Sequence, residues 1–404
     1  MGSDLSPSTG AILDLKQYES NNAVTSTKGL GMPRVQLKDL TKLLPMLKND
    51  NDYINNIGGK QDKENSLHVG LMVYNVNKSY CETPYYDDGL YVWNGNSWDY
   101  LGDQNDVLKF NDQDGNQFSA RQFGNAGIWM TENLRASTYA NGTAAPTLGA
   151  QSSDTEKYYC YPAPSTNSTG IKDGTLSAYF DQRPEIGLLY NPSAALNGEN
   201  TFGGEQEQIA GDIPGPNEIE SLAPNGHIQG ICPNGWHIPS DREWNQLERE
   251  IYTNANIYST YTAFDIQSWN PNTWNRDWET ESSQYGQLRG SSTSEGHGRA
   301  MLTSCPLEGS VYTGTFTGKS LPSYLGGFDV LPVGAAYQGN VSFGVDEFGM
   351  TAYFFTSSRS FDGFLTWYRT LGMDYYTLKQ RVDRHLLHPG GSDAFFSVRC
   401  KKNE

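Results

Sequence analysis

No Cys-x-x-Cys pair, no stripe of Lys and Arg, and no apolar run near the roughly 20 residues that span a bilayer occur in this chain. Each absence removes a class of function. Without paired thiols, structural zinc and dithiol redox chemistry lose their usual frame. Without the apolar run, no membrane span is expected. With 29 Lys and Arg against 46 Asp and Glu the net charge is −17, so clustered cations that would displace counterions are missing and nucleic acid is not an expected partner. A Gly-x-Ser-x-Gly elbow that would nominate a serine nucleophile is also missing. The opening MGSDLSPSTG has no basic stretch followed by an apolar one, so the expectation is a secretory leader that was removed or never existed.

Aromatic residues and turn formers are plentiful. The 25 Tyr, 16 Phe and 9 Trp supply large burial areas, the 43 Gly and 19 Pro supply turns, and 19% charged residues is too few for a disordered chain. A length of 404 residues exceeds one ordinary core and points to two or three β-rich units. Cysteines 81, 160, 232, 305 and 400 are odd in number, so at least one thiol is left over if the rest pair. Cys160 and Cys305 could bridge or could equally be small buried apolar residues.

Residues 1–22 are polar and read as a flexible lead-in, 23–102 as a small β-rich module, and 103–404 as the main domain. In the module, Leu37, Leu40, Leu43 and Leu44 recur at helical spacing until Pro45, residues 49–65 read as a polar loop, and GLYVWNGNSWDYL reads as a hairpin turning at Asn94-Gly95. Asp112-x-Asp114-Gly115 has half of a calcium loop but no bidentate Glu at the right distance, so a hairpin turn is expected. Residues 136–186 and 198–229 read as long surface loops, separated by a short helix capped by Asn191 with Pro192 first. The clearest local signal is GICPNGWHIPSDREWNQLEREIY. Ser240 and Glu243 form a capping box, and Trp244, Leu247 and Ile251 make an apolar stripe, with Arg242, Glu248 and Arg249 expected to face elsewhere. Short strands are expected at GGFDVLPVGAAYQG, AYFFTSS and FFSVRC.

In this order DGNQF, IWMTENLR, GLLYNPSAALN, GICPNGWHIPSDREWNQL, GGFDVLPVGAAYQG, YFFTSS and FSVRCKK, across residues 103–402, resemble the Fibrobacter succinogenes major paralogous domain, a family of Bacteroidetes surface and secreted proteins. The resemblance implies an α+β, C-type lectin-like fold with short antiparallel sheets, few helices and long loops. It also implies a disulfide between Cys232 and Cys400, the pairing also preferred on reading the GICPNGWHIPS and FFSVRCKK segments together. Residues 23–102 carry STKG, Pro33-Arg34, GLMVYN and WNGNSW and resemble a module of surface and phage tail-fibre-like proteins. That second resemblance implies a stalk or connector, with self-association through it.

Catalytic and metal signals are weak. His385 and His388 have ligand-like spacing but no third ligand nearby, and Pro389 breaks a helix there; His237 reads as a buried hydrogen-bonding residue; Asp346-Glu347 reads as a solvated loop. No metal and no cofactor are expected. The segment 357–391 concentrates Phe, Trp, Tyr, Arg and Asp, the residue types that anchor interfaces at low entropic cost. Its candidate contacts are Arg359, Phe361, Asp362, Phe364, Trp367, Tyr368, Arg369, Tyr375 and Tyr376. The expectation is a non-catalytic, extracellular or cell-surface protein, with an adhesin or pilus tip as one version, that binds a glycan or a protein. Two alternatives are a phage-type receptor-binding protein and a glycan-processing or modifying enzyme.

Overall fold

The computed structural model describes residues 29–81, 86–102, 106–149, 155–162, 180–198, 227–267, 269, 287–289, 295–307, 317–338, 343–359, 366–373, 380–387 and 394–404. The chain divides into two compact units, Met1–Asp103 and Gln104–Glu404.

In the first unit, strands β1 (Arg34–Val35), β2 (Met72–Asn75), β3 (Gly89–Trp93) and β4 (Trp98–Tyr100) form one sheet in that order. The hairpin between β3 and β4 turns at Asn94-Gly95 as expected, with Trp93 opposite Trp98 and Gly95 at φ 105°. Two expectations exchange places. Residues 36–48 form turns rather than a helix, and the polar stretch beyond them carries helices α1 (Asn51–Ile54) and α2 (Lys60–Leu67). Backbone partners explain the exchange. Leu37 N donates to Asn75 Oδ1 and Leu43 N to Tyr53 Oη, so these amides find side-chain acceptors and need no helical ladder. Asp50 meanwhile caps α1 by accepting from Tyr53 N.

The second unit is α+β, with few helices and several short sheets. Its strands in chain order are β5 (Val107–Asn111), β6 (Gln117–Gln122), β7 (Ile128–Met130), β8 (Thr147–Leu148), β9 (Tyr158–Cys160), β10 (Leu189–Tyr190), β11 (Trp236–His237) and β12 (Gln287–Arg289). They continue with β13 (Ala335–Gln338), β14 (Phe343–Asp346), β15 (Thr351–Arg359), β16 (Thr366–Met373), β17 (Gln380–Leu387), β18 (Ala394–Phe395) and β19 (Lys401–Lys402). One sheet runs β11-β19-β7-β6-β5, so the end of the chain lies between two segments that precede it by more than 160 residues. A second runs β12-β17-β16-β15, and three-stranded sheets run β10-β9-β8 and β14-β13-β18. The strands β8 and β9 fall where only surface loop was expected.

Asn191 caps the short helix α3 (Pro192–Ala195) by accepting from Ala194 N. Helix α4 (Asp241–Thr253) opens with both halves of its capping box in place. Trp244, Leu247 and Ile251 are fully buried, in a core shared with Phe123, Trp129, Phe328, Phe354 and Leu371. Arg242 and Glu248 depart from expectation, since they too are buried. Cys232 and Cys400 are bonded, with Cα atoms 5.9 Å apart, and close a separation of 168 residues. Cys160 is the leftover thiol, free and buried, and burial pushes its pKa far up. That excludes a bridge from Cys160 to Cys305.

Candidate functional site

The sheet containing β15 and β16 lies between two cores, and strand parity decides which side chain enters which. Successive side chains of a strand point to opposite faces. On β15, Ala352 and Phe354 belong to the core of α4, whereas Phe355 belongs to the core containing Phe396, with Tyr353 packed against it. Across the ladder Phe354 pairs with Arg369 and Phe355 with Tyr368. Arg369 therefore faces α4 and Tyr368 faces the other way.

Arg369 is fully buried and holds a polar hub. Its Nε donates to Glu248 Oε1 at 3.0 Å, one terminal nitrogen pairs with Asp241 Oδ1, and the other donates to the Asp241 carbonyl at 3.0 Å and to Asn245 Oδ1 at 2.9 Å. His297 Nε2 lies 3.3 Å from the second Glu248 oxygen. One guanidinium thus joins β16 to the first two turns of α4, with its charge compensated by two carboxylates.

On the other face, Tyr353 and Tyr368 are half-buried, with ring centroids 6.3 Å apart and planes 27° apart. Both pack on the buried Phe396, at 5.1 and 5.0 Å. Tyr353 Oη donates to Glu347 Oε2 at 2.7 Å across an exposed bond.

A third cluster lies where α4 begins. Glu243 accepts from Ser240 N at 2.8 Å and from Lys401 Nζ at 2.8 Å, and His237 Nε2 is 3.0 Å from its Oε1. Burial alone would raise the Glu243 pKa, but the hydrogen bond and charge of His237, with the Lys401 ammonium, hold it well below the carboxylate range. His227 stacks on His237, centroids 4.0 Å and planes 19° apart, and burial together with the His237 charge lowers its pKa. Donor atoms of His227, His237 and Glu243 lie within 4.8 Å of one another. The stacking does not suit a metal. An ion about 2 Å from one ring nitrogen lies in that ring's plane, and nearly parallel stacked rings share no such point. The carboxylate is also already held by Lys401.

Two further arrangements have the outline of chemistry without its working form. Lys109 Nζ donates to Ser119 Oγ at 2.6 Å, and Ser119 Oγ donates on to Glu132 Oε1 at 2.5 Å. A lysine that donates is not the base a serine nucleophile requires, and Ser119 is fully buried. At the half calcium loop, Asp112 Oδ1 accepts from the amides of Asp114 and Asn116, and Asp114 holds Ser137 and Thr138. Those carboxylates are fixing a turn.

The Fibrobacter succinogenes major domain matches residues 124–402, more than half of the chain. The chain belongs to this family. A phage tail-like trimerisation region matches residues 2–116, which takes in the first unit and continues into β5. No curated protein and no solved structure matches.

Within the Fibrobacter succinogenes major domain the expected contact residues separate. Arg369 and Trp367 are corrections: both are buried, two residues apart on one strand face, because register turns that face toward the interior. Tyr368 is half-buried on the opposite face. Arg359 ends β15, opposite Thr366 and beyond an irregularity in the ladder. Phe361, Asp362, Phe364, Tyr375, Tyr376 and His388 lie outside the described residues, and His385 is placed opposite Tyr368 by register. Tyr353, half-buried on the same face as Tyr368, was not among the expected contacts, although the alternation in AYFFTSS already places it two residues from Phe355 on that face.

No helix among the described residues is long and apolar enough to cross a membrane. The Cys232–Cys400 bond is consistent with an oxidising, extracellular compartment.

Proposed function

We infer that this is a non-catalytic, cell-surface or secreted bacterial binding protein with a C-type lectin-like second unit. The observation that carries this reading is the division of labour across one sheet. The charged groups on one face are buried and paired, while the half-buried rings of Tyr353 and Tyr368 lie on the other. A frame pinned by the Arg369 hub and the Cys232–Cys400 bond suits recognition, because a rigid platform loses little entropy when it binds. The partner is a glycan or a protein on another cell surface, and an adhesin or pilus-tip setting fits. The match to a trimerisation region over residues 2–116 supports self-association through the first unit.

The same match favours a second reading, a phage-type receptor-binding protein. Binding and turnover measured side by side on glycan and host-protein arrays test the class. Saturable binding without product is expected, and turnover would replace this reading with a glycan-processing enzyme. Sedimentation of the full chain tests the oligomer; a monomer at micromolar concentration would remove the self-association.

A further inference from the structure

We propose that the outer surface of the α1–α2 layer, centred on Leu67 and Val69, is the face through which one copy of this chain binds another; this rests on the reading that the first unit self-associates and names the residues that do it. Within this layer only Tyr53 enters the core, where it joins Trp93 and Trp98. No residue of α2 is buried, and its ties inward are polar: Trp93 Nε1 donates to the Asn65 carbonyl at 2.8 Å and Tyr53 Oη to Asn65 Oδ1 at 2.9 Å. A helix of eight residues with no packed face is marginal on its own ladder.

Aliphatic side chains are left in solvent instead. Ile54 and Ile57 are 37% and 59% exposed, and Leu67 and Val69, two positions apart where the chain leaves α2, are 66% and 59% exposed. Helix α1, the turn Ile57–Gly59 and α2 touch one another, so these residues belong to one layer. Seven of the ten large apolar side chains exposed among the described residues lie in the first unit, although it is the smaller one. A lone exposed aliphatic is ordinary on a surface, but this concentration marks an interface. The occupant is a second copy because the phage tail-like trimerisation region matches residues 2–116, a span that holds the whole layer. On α2, Asp62, Lys63 and Ser66 are also exposed and supply the polar rim that such a contact carries.

The test is sedimentation of the full chain across a concentration series, for wild type, the double variant Leu67→Glu/Val69→Glu, Ile57→Glu, and Phe264→Glu as a control at a 79% exposed position of the second unit. Wild type should assemble, stay assembled in high salt because the contact is apolar, and melt at a temperature that rises with concentration. The double variant should weaken assembly by about 100-fold or more, the scale of two apolar side chains kept from burial, while melting like dilute wild type. Ile57→Glu should weaken it in the same direction, and it decides alone if the double variant does not fold. Phe264→Glu should change nothing. Wild-type assembly that is unchanged in both first-unit variants would overturn this face and leave self-association standing. Equal loss in Phe264→Glu would overturn its placement in the first unit, and dissociation in high salt would overturn its apolar basis. A wild-type monomer would overturn the face and the self-association reading together, leaving the layer to a different protein.

Discussion

Arg369 on β16 donates from Nε to Glu248 Oε1 on α4 at 3.0 Å, with neither side chain reaching solvent. The bond spans 121 positions of sequence and turns a residue of the interface-forming type into a structural one. Removing Arg369 would take from the buried Asp241 and Glu248 a cation that both of them contact. Arg369→Ala should therefore cost about 3–5 kcal/mol by chemical denaturation. The triple change Arg369→Met, Asp241→Asn, Glu248→Gln should cost less, because these three buried charges are removed together. Equal losses in the two variants would contradict the hub.

Glu243 tests the opening of α4 through pH. Its folded pKa is depressed, so its stabilising contribution is present above the unfolded carboxylate value and is lost only as pH falls through the folded one. Glu243→Gln should melt below wild type at pH 7 and keep that deficit at pH 5. The gap should narrow only in stronger acid. A deficit independent of pH would remove the charge from the argument.

Asp329 runs the other way. Burial raises its pKa to about 6, against hydrogen bonds from Ser323 N and the Thr303 side chain that favour the ionised form. A carboxyl with a raised folded pKa favours folding at low pH, and that contribution is lost as pH rises from the unfolded value of 3.8 through about 6. Asp329→Asn tolerates the left-handed backbone at φ 48° and carries no charge. Its melting temperature should exceed wild type at pH 8, with the advantage shrinking below pH 4. Parallel curves would refute the assignment.

Opening the Cys232–Cys400 bond releases a 168-residue separation. Replacing both cysteines by serine should lower stability by about 2–5 kcal/mol. A reductant should lower the wild-type midpoint by more than the double variant's, in which only the bonded Cys81 and Cys305 remain to be reduced.

Two glycines of the GICPNGWHIPS segment separate backbone from packing. Gly230 and Gly235 have φ of 54° and 79°, but an added Cβ at Gly230 would meet the Ala195 carbonyl oxygen at 2.2 Å, whereas at Gly235 nothing lies within 4 Å. Gly235→Ala should cost about 1–2 kcal/mol from the left-handed backbone. Gly230→Ala should add about 1–3 kcal/mol of overlap to that cost. Similar melting temperatures for the two variants would contradict the close approach.

Helix α4 was legible because its signals are local. Ser240, Glu243 and the Trp244, Leu247, Ile251 stripe act within three turns of chain, and the hairpin at Asn94-Gly95 and the cap at Asn191 are just as short in range. The module around Leu37–Asn65 was misread because its deciding partners are distant: Asn75 takes the Leu37 amide from 38 positions away, and Tyr53 takes that of Leu43. The two faces of β15 and β16 were half legible. Aromatic enrichment located the strands, but Arg369 and Trp367 proved internal while Tyr353, in the preceding strand, proved half-buried on the opposite face.

Composition, caps, turns and the ordered family blocks therefore determined from sequence alone that this chain holds an α+β domain stapled near its end, following a smaller β-rich unit. Which of two neighbouring side chains on one strand enters which core was left to the tertiary structure. The pleat has a period of two, so register set by strands and helices far along the chain assigns every side chain to a face, and a one-residue shift would invert them all.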